Sequence, residues 1–97
     1  MMDVLSDQEV DEGLQDLQAW HREGNAITAE FRCKDFSAVI GFVVGIAMAA
    51  EKADHHPDID IRWDTVTLRS STHSSGGVTR RDLALAAHIS VLSTSYR

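Results

Sequence analysis

The chain holds a single cysteine, Cys33, so it cannot close a disulfide within itself. Its first residues, Met1-Met2-Asp3, lack the basic start and apolar run of a secretion signal. Both absences lead to an expectation of a reducing, cytoplasmic setting. Basic residues are scarce too: nine Lys and Arg against fifteen Asp and Glu leave a net charge of -6. Apart from Arg80-Arg81 they are scattered, so no basic face is available to neutralise phosphates, which argues against nucleic acid as a partner. The longest uncharged run, Phe36 to Ala50, is fifteen residues and ends at Glu51. That is short of the ~18 needed to cross a bilayer, so it reads as a buried helix and no membrane contact is expected. There is no internal repeat. The length, 97 residues with 43% hydrophobic, suits one domain over residues 1–97 with a modest core.

What is present falls into alternating helical and strand-like stretches. Ser6 with Glu9 forms a capping box, Leu5 can staple against Val10, and Val10, Leu14 and Leu17 then recur at helical spacing. Trp20 to Arg22 and Ala26 to Arg32 read as strands joined by a Glu23-Gly24-Asn25 turn, with His21 a surface residue. Asp35 caps a second helix whose expected core stripe is Phe36, Val39, Ile40, Val43, Ala47 and Ala50. Opposite that stripe lie Ala38, Gly41, Gly45 and Ala49, small residues that permit close backbone approach and are expected to form a subunit contact. Asp58 to Arg62 alternates as a half-buried strand, followed by a turn near Asp64 and a partner strand from Thr65. Thr79 caps a third helix with Asp82 leaning towards its core side and Leu85, Ile89 and Leu92 as its stripe; His88 beside the stripe reads as structural. The implied fold is α+β, a four-stranded antiparallel sheet with helices packed on one face, in the order α-β-β-α-β-β-α.

Candidate chemistry concentrates where the second helix gives way to a strand, at Glu51-Lys52-Ala53-Asp54-His55-His56-Pro57. Two adjacent histidines there, bracketed by Glu51 and Asp54, are groups able to move protons near neutral pH. The only proline, Pro57, pushes His56 towards an extended backbone, so the helix stops near His55 and the two rings diverge. His73 arrives from a different strand-like segment and can approach the same ligand from another side. Adjacent histidines rarely point both rings at one ion, and the sequence has no helical His pair or Cys cluster, so no metal is expected.

Taken together, Glu51-Lys52-Ala53-Asp54-His55-His56-Pro57, then Trp63, Thr72-His73, Gly76-Gly77 and Asp82, resemble the signature of the pterin-4a-carbinolamine dehydratases. The resemblance implies a hydro-lyase that converts 4a-hydroxytetrahydropterin to quinonoid dihydropterin and water during tetrahydrobiopterin recycling. It implies no cofactor, a small-molecule pterin as substrate, a homodimer or homotetramer, and a functional link to an aromatic amino-acid hydroxylase. Carried onto this chain, His55 and His73 would be the acid/base pair and His56 would hold the pterin or the departing oxygen. Glu51, Asp54, Pro57, Thr72 and Asp82 would contact the substrate or orient the imidazoles, with Asp82 open to a second reading as a capping-box acid. Trp63 would be wall or core. A non-catalytic dimerisation or binding module on the same fold is the alternative.

Overall fold

The computed structural model describes residues 3–97; Met1 and Met2, used in the reading of the N-terminus, lie outside the described residues. The elements are α1 (Asp7–Gly13), β1 (Trp20–Glu23), β2 (Ala26–Arg32), α2 (Phe36–Ala53), β3 (Asp58–Arg62), β4 (Thr65–Ser70) and α3 (Arg80–Ser93). This is the α-β-β-α-β-β-α order the patterns predict. All pairings are antiparallel, and the sheet order is β1-β2-β4-β3, so the two hairpins meet through β2 and β4 at the centre.

Local chemistry accounts for the helix boundaries. The capping boxes of Ser6 with Glu9 and of Thr79 with Asp82 both form, and Asp35 accepts from the Ala38 N–H. α1 is shorter than the Val10, Leu14, Leu17 spacing suggests; it ends at Gly13, and Leu14 and Leu17 reach the core from turns that follow. The core face of the sheet carries Ile27 and Ala29 from β2 and Val66 and Leu68 from β4, all buried. β3 departs from expectation. It is exposed along its whole length, because it is an edge strand; Ile59 and Ile61, opposite Leu68 and Val66, face the helix side but stay more than a third exposed. Trp63 is likewise not core: it is 74% exposed in the two-residue turn between β3 and β4, with a φ of 49° that a bulky side chain rarely adopts.

α2 is apolar almost all round, and packing selects a different stripe from the expected one. Val39, Phe42, Ile46 and Ala50 are buried, whereas Phe36, Ile40, Val44 and Met48 are 43–70% exposed. By length and composition alone this helix could cross a membrane, but its buried face is that of a core helix. The small-residue side is not a free surface either. A Cβ on Gly41 would stand 2.8 Å from Tyr96 Cε1 and one on Gly45 3.5 Å from Leu92 Cδ1, so this side is taken up by α3 and the C-terminal segment of the same chain. The apolar surface that α2 leaves exposed is therefore the Phe36, Ile40, Val44, Met48 stripe. At Gly45 the added methyl makes only an ordinary contact, so Gly45→Ala should stabilise by ~0.5–1 kcal/mol through the helical cost of glycine. Gly41→Ala should gain less or lose stability, since Tyr96 must move; urea melts of the two variants compare them directly.

Candidate active site

The junction after α2 is shaped by its backbone. Asp54 adopts a left-handed conformation (φ 50°, ψ 47°), the His55 N–H returns to the Ala50 carbonyl at 3.0 Å and the Asp54 N–H to Glu51 at 3.2 Å. This is a Schellman closure with aspartate in the place glycine usually takes. It turns His55 inward, where the residue is only 8% exposed, and leaves His56 outside.

His55 does not pair with Glu51 or Asp54, the neighbours that its sequence position suggests. Its Nε2 lies 2.5 Å from Oδ1 of Asp82, which is fully buried. Ser70 Oγ donates to the same oxygen at 2.6 Å, while Thr72 Oγ1 and the Thr79 N–H donate to Oδ2 at 2.8 and 2.9 Å. An ionised carboxylate offers about four acceptor sites, and here four donors fill them. Burial pushes the Asp82 carboxyl up, but the hydrogen bonds from Ser70, His55, Thr79 and Thr72 outweigh it and hold the group below its ordinary value. Asp82 thus accepts only, and His55 must carry its proton on Nε2. The Thr72 hydroxyl is committed to Asp82, so across the 2.8 Å contact Thr79 donates to Thr72, keeping a lone pair for the Arg81 N–H.

His56 and His73 are exposed. His56 Nε2 meets Glu51 Oε1 at 2.6 Å, one turn back on α2. His73 sits in a tight loop closed by the Thr72–Gly77 bridge and by the Gly76 N–H to Thr72 O bond, with Gly76 at φ 80°. Each of these two histidines follows directly on a residue that Asp82 grips, His55 in one case and Thr72 in the other. The carboxylate therefore ties together the two chain segments that present the exposed rings.

The residues expected to contact the substrate lie in different surroundings. Asp82 and Thr72 are buried, with their side-chain polar atoms bonded to each other and to His55, Ser70 and Thr79. The second reading of Asp82, as a capping-box acid, holds at the same time as its bond to His55. Glu51 and Asp54 are exposed and Pro57 half-buried. Two further residues were missed: Ser70, whose signal was a hydroxyl in register with the inward Val66 and Leu68, and Arg81, whose Nη2 bonds the Ala53 and Asp54 carbonyls at 2.9 and 2.5 Å. Among the described residues, no group of three His, Cys, Asp or Glu side chains is placed to hold a metal ion.

One buried carboxylate on an α+β sheet thus fixes one histidine and grips the residues that precede two exposed ones. The chain belongs to the pterin 4 alpha carbinolamine dehydratase family, whose model matches residues 3–92. It is 52% identical over 89 residues to a relative from Roseiflexus castenholzii (92% of this chain, 96% of the relative) and 50% identical over 90 residues to one from Nocardia farcinica (93% and 95%). Both are named, provisionally, as pterin-4-alpha-carbinolamine dehydratases. The crystal structure of a transcriptional coactivator/pterin dehydratase from Brucella melitensis superposes with a TM-score of 0.90 at 35% identity, covering 94% of this chain and 99% of that one. A pterin dehydratase-like protein, described as a RuBisCO assembly factor in the alpha-carboxysome, shares the fold at a TM-score of 0.67 and 19% identity, over 77% and 89% of the chains.

Removing the Asp82 carboxylate strands three donors and the His55 ring in the interior. Asp82→Ala should therefore cost ~3–5 kcal/mol, the usual scale for breaking a buried pair. The sign of the pH dependence follows from the lowered folded-state value. The stability that Asp82 supplies is fully present above the ordinary unfolded value of ~3.9 and lost as pH falls below it towards the folded value. Urea titrations across pH 2–6 should show the wild type losing more stability below ~3.9 than Asp82→Ala does.

Proposed function

We propose that the protein dehydrates 4a-hydroxytetrahydropterin to a quinonoid dihydropterin, acting as a hydro-lyase in pterin cofactor recycling, in the cytoplasm and without metal or redox cofactor. The observation that carries this reading is the placement of His56 and His73 on two segments tied to one buried carboxylate, in a chain of this family. In the reaction the C4a–O bond breaks, the oxygen leaves as water with a proton from an acid, and a base removes the N5 proton as the C4a=N5 bond forms. Imidazoles with ordinary pKa values near ~6.5 suit both tasks at neutral pH.

The geometry favours a different division of labour from the His55 and His73 pair that sequence position suggests. His56 is exposed and its Nε2 is bonded to Glu51, which fixes the tautomer and leaves Nδ1 to face a ligand. His73 is exposed in its loop. His56 and His73 are therefore assigned the proton transfers, and His55, with one nitrogen committed to Asp82, the positioning of the junction and one wall of the site. Glu51 orients His56, and Asp54 and Pro57 set the backbone.

A non-catalytic binding module is the runner-up, and the exposed Phe36, Ile40, Val44, Met48 stripe is the feature that favours it. The same stripe is the surface we assign to self-association as a homodimer or homotetramer. Purified protein assayed with enzymatically generated 4a-hydroxytetrahydropterin separates enzyme from module: a rate no faster than spontaneous dehydration would reject the enzyme. After correction for that background, His56→Ala and His73→Ala should each lose ~10²-fold or more in kcat. Glu51→Gln should lose less than His56→Ala, since the ring itself remains. Near wild-type kcat in both histidine variants, with a collapse only in His55→Ala at unchanged stability, would return the chemistry to His55.

A further inference from the structure

We propose that the cavity between α2 and α3 binds a small molecule that carries a phosphate or carboxylate on an apolar body. The cavity has a volume of about 380 Å³, the lower end of the range for small-molecule sites and enough for one or two rings. It lies beyond the stretch in which Leu92 and Tyr96 fill the space over Gly45 and Gly41. Ala49, Ala53, Ala84 and Leu85 form its apolar walls, and His55 lies among the lining residues.

The ionisable groups decide the ligand's charge. Besides His55 they are Lys52, Arg81 and His88, and the lining includes no carboxylate. That is unusual on a chain of net charge -6. Elsewhere Arg22, Arg32, Arg62 and Arg69 each pair with an acidic side chain. Among the described residues none pairs with Lys52, Arg81 or His88. Arg81 is also held in place: its Nη2 is anchored on the Ala53 and Asp54 carbonyls at the C-terminus of α2, which leaves its other N–H groups to donate. A planar guanidinium fixed in advance loses little entropy on gripping an anion. Lys52 and His88 stand exposed on the two facing helices.

The source of the anion is either a charged substituent on a pterin or a separate effector, and the inference itself does not depend on dehydration. The test is a titration of the full-length protein with phenyl phosphate, followed by two-dimensional amide NMR and calorimetry, with phenol and inorganic phosphate as controls. Phenyl phosphate should shift the resonances of Ala49, Ala53, Ala84 and His88 and bind at least ~10-fold more tightly than either control, because each control supplies only one of the two interactions. Lys52→Gln/His88→Gln, both at exposed positions, should weaken it by roughly 10-fold, and Ala84→Leu should block it. Saturable shifts absent from these residues up to about 10 mM, equal binding of phenol, or no loss in the double variant would overturn the proposal. Repeating the titration with 7,8-dihydropterin present identifies the source: displacement assigns the anion to a pterin substituent, and simultaneous binding assigns it to an effector. A protein inactive as a dehydratase that still binds phenyl phosphate here refutes the proposed activity and leaves this site standing.

Discussion

One buried carboxylate organises the functional end of the molecule. Asp82 belongs to the first turn of α3, yet the groups that bind it come from β4 (Ser70), the loop after it (Thr72), the α3 cap (Thr79) and the segment after α2 (His55). Left without these donors, a buried charge would cost several kcal/mol, so the four segments are bound to assemble together or not at all. The geometry of the candidate site and the stability of the fold are consequently linked at this residue. A change here acts on the fold first and on the exposed histidines through it.

The division between inner and outer histidines follows from that constraint. Adjacent in sequence, His55 and His56 end on different carboxylates because Asp54 takes a left-handed backbone that sends one ring inward and the other out. Each carboxylate accepts from an Nε2 position and so leaves the Nδ1 side of its imidazole for other contacts. The inner pair is shielded from solvent and rigid, suited to holding a geometry; the outer pair is wet and accessible, suited to exchanging protons with a ligand.

α2 serves three surfaces at once, and its composition reflects this. One side is buried against the core, the glycine and alanine side admits α3, and the remaining side exposes Phe36, Ile40, Val44 and Met48 to whatever covers it. Further along the helix, Ala49 and Ala53 line a cavity between α2 and α3. The same sequence feature thus allows close packing at one end of the helix and leaves space for a ligand at the other.

Much of the architecture was legible from local signals, since caps, turns and periodicity are properties of neighbouring residues. Ser6 with Glu9, Asp35, and Thr79 with Asp82 mark three helix starts, and the alternation in Ala26–Arg32 and Thr65–Ser70 marks the strands that pair at the sheet centre. The motif from Glu51 to Pro57, with His73 and Asp82, likewise located the candidate site and its family. Three things were beyond the sequence. An almost uniformly apolar helix gives no period from which to tell its buried stripe from its exposed one, so packing against the sheet chose Phe42 and Ile46 over Phe36 and Ile40. Edge position, a matter of strand order, left Ile59 and Ile61 exposed despite their alternation. And the partner of His55 was decided 27 positions away at Asp82, because a buried carboxylate recruits whichever donors the tertiary fold brings within reach, while Glu51 and Asp54, nearer in sequence, face the solvent.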